Sequence, residues 1–224
     1  MNERFARRDL TRATSQLRAE KRGGKPVIVG YAAVFYKEGD PGTEFRLWSD
    51  MVERIMPGAF DAALREDDVR ALFNHERSNL LGRRKPGDSS ATLRLSVDDV
   101  GLLYEIDPPD TQVARDLLTS LERGDVDGSS FQFDVYTNYG AKRGDITWRE
   151  TNGVTIREIR SLELLDVGPV VFPAYASTSS GVRSNDAELT RMRQEMQAAL
   201  KRDTSADDED ELLLAAALAR PLAS

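Results

Sequence analysis

The amino-acid sequence predicts an α+β domain with a largely antiparallel β-sheet or barrel, covering roughly residues 26–184. Two observations lead to this prediction: at least five segments have strand-like composition or alternation, and only two short segments between them have helical spacing. A chain of 224 residues is long enough for one large domain or two small ones with a buried core.

The first half of the domain predicts two strands and one short helix. Residues 27–35 are mostly β-branched, small or aromatic, and a turn-rich segment follows them, which is typical of a strand. Pro57 suits the first turn of a helix, whose apolar positions then share one face: Phe60, Ala63 and Leu64. Residues 69–73 form a second, brief apolar strand that leads directly into Asn74 and His75.

The second half predicts a hairpin, a helix and further strands. Residues 92–97 and 103–106 alternate with period two around a short turn, as in a β-hairpin. Thr111 offers an N-cap and Gly124 a helix end, and the apolar positions between them repeat at helical spacing: Val113, Leu117, Leu118 and Leu121. Strand-like segments then follow at residues 130–137, 146–149 and 154–171.

The two ends of the chain differ from the domain in charge. Residues 1–25 hold eight basic and three acidic side chains with little apolar periodicity, so we expect a flexible basic arm. Residues 185–224 hold five basic and nine acidic side chains, and their spacing predicts an acidic, partly helical tail. The remaining body is acidic, which argues against a dedicated nucleic-acid-binding protein. Neither a membrane span nor a secretory signal is evident, so we expect a location inside the cell.

Cysteine and histidine usage restricts the chemistry. The chain has no cysteine and one histidine, which excludes disulfides, thiolate metal sites, a cysteine nucleophile and any site that needs two histidines. Hydrolysis remains open through a hydroxyl nucleophile with the single imidazole, or through paired carboxylates with or without a hard cation.

His75 and Ser130 are the first two candidates for a site. His75 is the only side chain whose ordinary pKa lies near neutrality, and it follows an apolar strand at the rim of the predicted sheet. Period-two alternation puts Phe131 and Phe133 on one face of a strand and Ser130 on the other. If the phenylalanines face the core, Ser130 points away from it and the neighbouring Ser129 points inward. A packed histidine and an ordinary strand serine are the alternatives.

A serine and a histidine need a third group that orients the imidazole, and here it should be a carboxylate. Glu163 and Asp166 lie in an otherwise apolar segment, where an unpaired buried charge would cost several kcal/mol. Because they are three residues apart, an unbroken strand would turn them to opposite sides. A structural ion pair with an arginine, such as Arg157 or Arg160, is the alternative for either carboxylate.

A second kind of site would use carboxylates and a metal. Oxygen ligands could come from three carboxylates: Asp125, Asp127 and Asp134. The segment DVDG (125–128) resembles a calcium loop only weakly, because its glycine is at the wrong position and no glutamate follows at the required distance. We therefore keep a carboxylate-metal hydrolase only as a rival to the serine hydrolase.

Eight short segments occur in an order that resembles the tailed-phage (caudovirus) prohead serine protease family. They are GYAAVF (30–35), ERIMPGAF (53–60), VRALFNH (69–75), PDT (109–111), RGD (123–125), GSSFQF (128–133), DV (166–167) and PAY (173–175). Each segment is ordinary alone, but together and in register they are specific, and they span about residues 28–184.

The resemblance implies a herpesvirus-assemblin-like fold, a β-barrel with surrounding helices, and a serine endopeptidase of capsid maturation. By motif, Ser130 would be the nucleophile and His75 the general base, with Ser129 in the single position between glycine and nucleophile. The third member would be Asp166, which matches the acidic residue before the valine of the family's late strand, with Glu163 as the alternative. Assemblin uses a second histidine at this place, which this chain lacks. Backbone amides of residues 168–175 would hold the oxyanion.

The resemblance also implies partners and a location. Such proteases lie inside the immature capsid, or prohead, in the host cytoplasm. There they cut the scaffolding protein or the scaffolding segment of the major capsid protein, and they cut themselves. Neither a cofactor nor a metal is expected, a homodimer is compatible with the assemblin likeness, and neither membrane nor specific nucleic acid is an expected partner. The main alternative is a non-catalytic capsid assembly or scaffolding factor with the same fold.

Overall fold

The computed structural model describes residues 6–10, 15–135 and 141–172, and the isolated positions 194, 196 and 198. The chain divides into two compact units, Met1–Ser184 and Asn185–Ser224. Apart from the three isolated positions, the predicted acidic tail and its helix lie outside the described residues, as does the PAY segment at 173–175. The predicted boundaries at residues 26 and 184 therefore stay predictions.

The described part of the first unit is built mainly of strands. The strands are β1 (Ala6–Leu10), β2 (Arg18–Arg22), β3 (Lys25–Val34), β4 (Phe45–Trp48), β5 (Met51–Ile55), β6 (Val69–Leu72), β7 (Leu80–Arg84), β8 (Leu93–Val97), β9 (Gly101–Ile106), β10 (Gly128–Asp134), β11 (Asp145–Thr151), β12 (Val154–Ser161) and β13 (Glu163–Val170). The helices are a 3₁₀ turn at Pro41–Thr43, α1 (Asp61–Glu66) and α2 (Gln112–Arg123).

The strands form three sheets. Their orders are β1-β10-β13-β6-β7, β11-β12-β5-β4 and β2-β3-β9-β8. Most neighbours are antiparallel, while β5 with β12 and β6 with β13 are parallel. Mostly antiparallel sheets with few helices agree with the predicted α+β class. Within the described ranges, however, no sheet closes on itself, so the predicted barrel is not found there.

The predicted hairpin and the second predicted helix are both confirmed. β8 and β9 pair antiparallel around a short turn. At the start of α2 the Thr111 hydroxyl accepts a hydrogen bond from the Ala114 amide, and Gly124 ends the helix in the left-handed region at a φ of 79°. That conformation favours glycine because it lacks a β-carbon. Ala114, Leu117 and Leu121 are the buried side chains of the helix.

Two strands lie in the segment that we expected to be a flexible basic arm. β2 pairs with β3, and β1 pairs with β10. Composition misses them because their sequences, ARRDL and RAEKR, carry no apolar alternation, and their pairing depends on strands elsewhere in the chain. In β2 the charges also compensate one another, since Glu20 pairs with Arg18 and Arg22. The expectation of an arm without structure is therefore wrong for residues 6–10 and 18–22.

Aromatic packing fixes which way β10 faces. The rings of Phe131 and Phe133 stack with centroids 5.1 Å apart, and Phe131 meets Phe60 edge-on at 5.8 Å. All three side chains are fully buried. Because alternate residues of a strand point to opposite faces, this core leaves Ser130 and Gln132 on the other face of β10.

One predicted strand is in fact two. Residues 154–171 separate at Leu162 into β12 and β13, which belong to different sheets. None of the described helices combines the length and the apolar character that a membrane crossing requires.

Candidate active site

Ser130 and Asp166 project from neighbouring strands onto the same face of the five-stranded sheet. In the antiparallel register of β10 and β13, Ser130 lies opposite Gly168 and Gln132 lies opposite Asp166. Directly opposed residues share a face, and so do residues two apart on one strand. The pairing of these two strands is therefore enough to bring the serine and the carboxylate to one side of the sheet.

His75 reaches the same face from a turn at the end of β6. β6 runs parallel to β13, with Ala71 opposite Val167, so the chain leaves β6 close to the middle of β13. Asn74 and His75 then both adopt the left-handed conformation, with φ angles of 56° and 58°. Two consecutive left-handed residues turn the chain sharply back, and such strain at non-glycine residues is typical of functional sites.

Asn74 fastens this turn to the end of β13. Its backbone N–H donates to the Pro169 carbonyl at 3.0 Å, and its side-chain Oδ1 accepts from the Val171 N–H at 2.9 Å. Asparagine is one of the few residues that enter the left-handed region at low cost. Asn74 therefore supplies both the conformation and the anchor that His75 needs.

The three side chains form a continuous hydrogen-bonded chain. His75 Nε2 lies 2.6 Å from Ser130 Oγ, and His75 Nδ1 lies 2.5 Å from Asp166 Oδ1. Relative exposure is 9% for His75, 0% for Ser130 and 4% for Asp166. A carboxylate at Nδ1 favours the tautomer with its proton on that nitrogen, which leaves the Nε2 lone pair free to accept from the serine hydroxyl. The arrangement can move a proton from the serine to the imidazole.

Gly168 permits the close approach of β13 and β6 beneath the site. A β-carbon built on Gly168 would lie 2.1 Å from the Leu72 carbonyl oxygen, a distance that no real side chain tolerates. Because Leu72 is three residues before His75, the absence of a side chain at position 168 sets how near the histidine turn comes to the strand of the acid. A lone glycine in an apolar strand is the sequence signal for such a contact.

Ser129, the other serine of the pair, faces the core. Its Oγ lies 2.7 Å from the Tyr104 hydroxyl, in a fully buried environment that raises the pKa of Tyr104. Gly30 leaves room for this contact, since a β-carbon there would lie 2.9 Å from the Tyr104 oxygen. The two adjacent serines thus have different surroundings, as the period-two alternation predicts.

Glu163 lies in a different environment from Asp166. It accepts a hydrogen bond from the Lys142 backbone N–H at 2.8 Å, and the Lys142 ammonium lies 3.6 Å away. Of the two carboxylates that the sequence singles out, the structure brings Asp166, and not Glu163, to His75.

The two arginines expected as alternative partners pair elsewhere. Arg157 binds Glu53 in a fully buried ion pair across the parallel strands β12 and β5. Arg160 binds Glu158 at 2.6 Å. Neither of these two ion pairs involves Asp166 or Glu163.

The rival metal site has no counterpart in the described ranges. No three His, Cys, Asp or Glu side chains of residues 15–135 and 141–172 converge in a way that could hold a metal ion. Asp125 instead pairs with Arg123 at 2.7 Å. The segment expected to hold the oxyanion, residues 168–175, is described only up to residue 172, and there the Val171 amide is bonded to Asn74.

Comparison with protein families yields one match over most of the chain. The model of the caudovirus prohead serine proteases matches residues 13–193, which include all three side chains of the hydrogen-bonded chain. Comparison with curated proteins and with solved structures finds no match. Since the matched segment covers far more than half of the chain, the chain belongs to the caudovirus prohead serine protease family.

Proposed function

We propose that this protein is the serine endopeptidase of phage capsid maturation. In this proposal it acts inside the prohead, in the host cytoplasm, on the scaffolding protein or the scaffolding segment of the major capsid protein, and on itself. The observation that carries the proposal is the chain of short contacts from Ser130 Oγ through the His75 ring to Asp166, in a member of a family of serine proteases.

The first half of the reaction forms an acyl-enzyme. His75 Nε2 takes the proton of Ser130 Oγ while that oxygen attacks the carbonyl carbon of the scissile peptide. Asp166 stays ionised and stabilises the imidazolium that forms. The imidazolium then gives its proton to the leaving amine, the C–N bond breaks, and the N-terminal part of the substrate remains on Ser130 as an ester.

The second half repeats the same proton movements with water. His75 takes a proton from a water molecule, whose oxygen attacks the ester carbonyl. Collapse of that intermediate returns the proton to Ser130 Oγ and releases a carboxylic acid. Backbone amides must stabilise both oxyanions, and the expectation that residues 168–175 provide them belongs to this proposal.

Co-expression with the major capsid protein of the same phage tests the proposal. Mass spectrometry should find shortened capsid protein and a shortened protease with the wild-type chain, and intact proteins with Ser130→Ala. Loss of a triad serine lowers kcat by roughly a million-fold in other serine proteases, which is beyond detection here. Ser129→Ala is the matched control, because it removes the adjacent hydroxyl: it should lower stability, since the buried Tyr104 hydroxyl loses its partner, but it should leave cleavage intact.

The role of the acid has its own comparison. Asp166→Asn should lower kcat by about ten-thousand-fold, because the amide favours the wrong imidazole tautomer, while Glu163→Gln should cleave like the wild type. A fluorophosphonate reagent should label Ser130 in the wild type and not in His75→Ala. If wild type and Ser130→Ala both leave every partner intact under assembly conditions, the protein is instead a non-catalytic assembly factor.

A further inference from the structure

The proposed nucleophile is buried, and the strand beside it comes from the chain's own N-terminal segment. Ser130 has no exposed surface in the structure. On one side of β10 lies β13, and on the other lies β1, whose Asp9 is directly opposite Ser130. A scissile carbonyl must come within about 3.5 Å of the serine oxygen before it can react. Part of the surroundings of Ser130 must therefore move before a partner protein can be cut.

The two neighbours of β10 differ in how firmly they are held. β13 buries Leu164, Val167 and Val170, which gives it an apolar anchor in the core. β13 also pairs with a strand on each side, β10 and β6, whereas among the described residues β1 (sequence ARRDL) pairs with β10 alone. The backbone hydrogen bonds that join a strand to its sheet each have small net stability. Of the two, β1 is the strand that can leave at low cost.

The chain after β1 is attached separately. The Ser15 hydroxyl donates to the Asp127 carbonyl at 3.3 Å, and Leu17 is buried. β2 then pairs along its whole length with β3, which belongs to another sheet. Release of residues 6–10 would therefore leave these anchors in place.

We propose that β1 occupies the edge of β10 on which an extended peptide substrate pairs, so that cleavage of a partner protein requires β1 to leave. An extended peptide can replace an edge strand because the same backbone N–H and C=O groups bind either one. The N-terminal strand thereby competes with the substrate within each molecule. This inference rests on the proposed function, since it assigns a regulatory role at the same site.

A reversible crosslink tests whether β1 must leave. Arg7 lies directly opposite Gln132, and residues so paired have Cα atoms about 4.5–5.5 Å apart, which suits a disulfide. The chain has no cysteine of its own, so in Arg7→Cys with Gln132→Cys the intended bond is the only disulfide possible within one molecule, and non-reducing gels identify any bond between molecules. We expect the oxidised form to lose at least about tenfold in the rate of capsid-protein cleavage relative to its reduced form. Gln132→Cys alone, under the same two conditions, controls for the reagents.

A second variant tests release in the opposite direction. Along an edge strand, the backbone N–H groups of alternate residues point toward the neighbouring strand. Arg7 and Arg8 are consecutive, so replacing both by proline removes one N–H group that points toward β10. Arg7→Ala with Arg8→Ala removes the same charges and keeps both N–H groups. If β1 competes with the substrate, the proline variant should have a kcat/KM at least about fivefold above that of the alanine variant, through a lower KM.

Labelling of Ser130 by a fluorophosphonate separates the two proposals. Because Ser130 is buried for the reagent as well, we expect the reagent to label the reduced form and to label the oxidised form more slowly. Equal cleavage by the oxidised and reduced forms, or no gain from proline over alanine, would contradict the role of β1 and leave the protease intact. Failure to label Ser130 in every form, with no cleavage, would overturn the proposed function and this inference with it.

Discussion

Asn74→Ala should destabilise the protein and displace its histidine, because Asn74 holds the turn that carries His75. Two losses add together. The Val171 N–H loses its acceptor, worth about 1 kcal/mol, and alanine at a φ of 56° carries a further cost of about 1–2 kcal/mol. We therefore expect a loss of about 2–3 kcal/mol in the free energy of unfolding, or a Tm lower by roughly 4–12 °C for a domain of this size.

Two companion variants separate these losses. Asn74→Gly loses the same acceptor but adopts the left-handed conformation without a steric penalty. Glycine also increases the conformational entropy of the unfolded chain, which lowers the free energy of unfolding by about 0.5–1 kcal/mol. Asn74→Gly should be more stable than Asn74→Ala by roughly 0.5–1 kcal/mol. Asn74→Asp keeps an acceptor and tolerates the conformation, so it should lie closest to the wild type. Urea unfolding of all three, with equal m-values, measures the differences.

The same variants test the link between this turn and catalysis. A displacement of about 1 Å in a catalytic group can cost on the order of a hundredfold in rate. We expect kcat to be highest for Asn74→Asp, lower for Asn74→Gly and lowest for Asn74→Ala, with KM changed little. If alanine and glycine are equally stable, or if alanine keeps full activity, the idea that the left-handed conformation of Asn74 positions the histidine is wrong.

Three further changes have definite expected outcomes. Gly168→Ala should lower Tm and abolish cleavage together, since its β-carbon would overlap a backbone carbonyl; a normal melting curve would contradict this. Tyr104→Phe should cost about 1–3 kcal/mol in urea unfolding, because the buried Ser129 hydroxyl loses its partner, and an unchanged midpoint would count against it. Partial burial acts to raise the pKa of Asp98, but hydrogen bonds from Tyr31 and backbone amides outweigh it and lower that pKa. This stabilisation is present above about pH 4 and is lost as pH falls further, so Asp98→Asn should flatten the acid side of a plot of Tm against pH.

Sequence periodicity predicts those elements whose stability comes from apolar burial. α2 has a capping threonine, a terminal glycine and buried side chains at helical spacing, so its local signals and its packing agree. The alternation in β10 likewise predicts that its two serines face opposite ways. The same reasoning misses β1 and β2, whose charged side chains carry no apolar pattern and whose pairing depends on strands far along the chain.

The site could be anticipated only in part. Motif order and residue chemistry single out His75, Ser130 and two acids, but spacing alone leaves open which acid approaches the imidazole. That choice depends on the register of β10 against β13 and on the turn after β6, which are long-range properties. The bracing by Asn74 and the contact at Gly168 are equally non-local, because each joins groups about a hundred residues apart.

Ser130 and Asp166 lie on the same face only because β10 and β13 pair in one particular register. The proposed catalytic site therefore depends on correct assembly of this sheet. A slip of one residue between those two strands would place the serine and the acid on opposite faces of the sheet. A molecule with misaligned strands therefore has no functional nucleophile, and hydrolytic activity itself becomes a sensitive report of native folding. Under the proposed function, this dependence restricts proteolysis to fully folded copies.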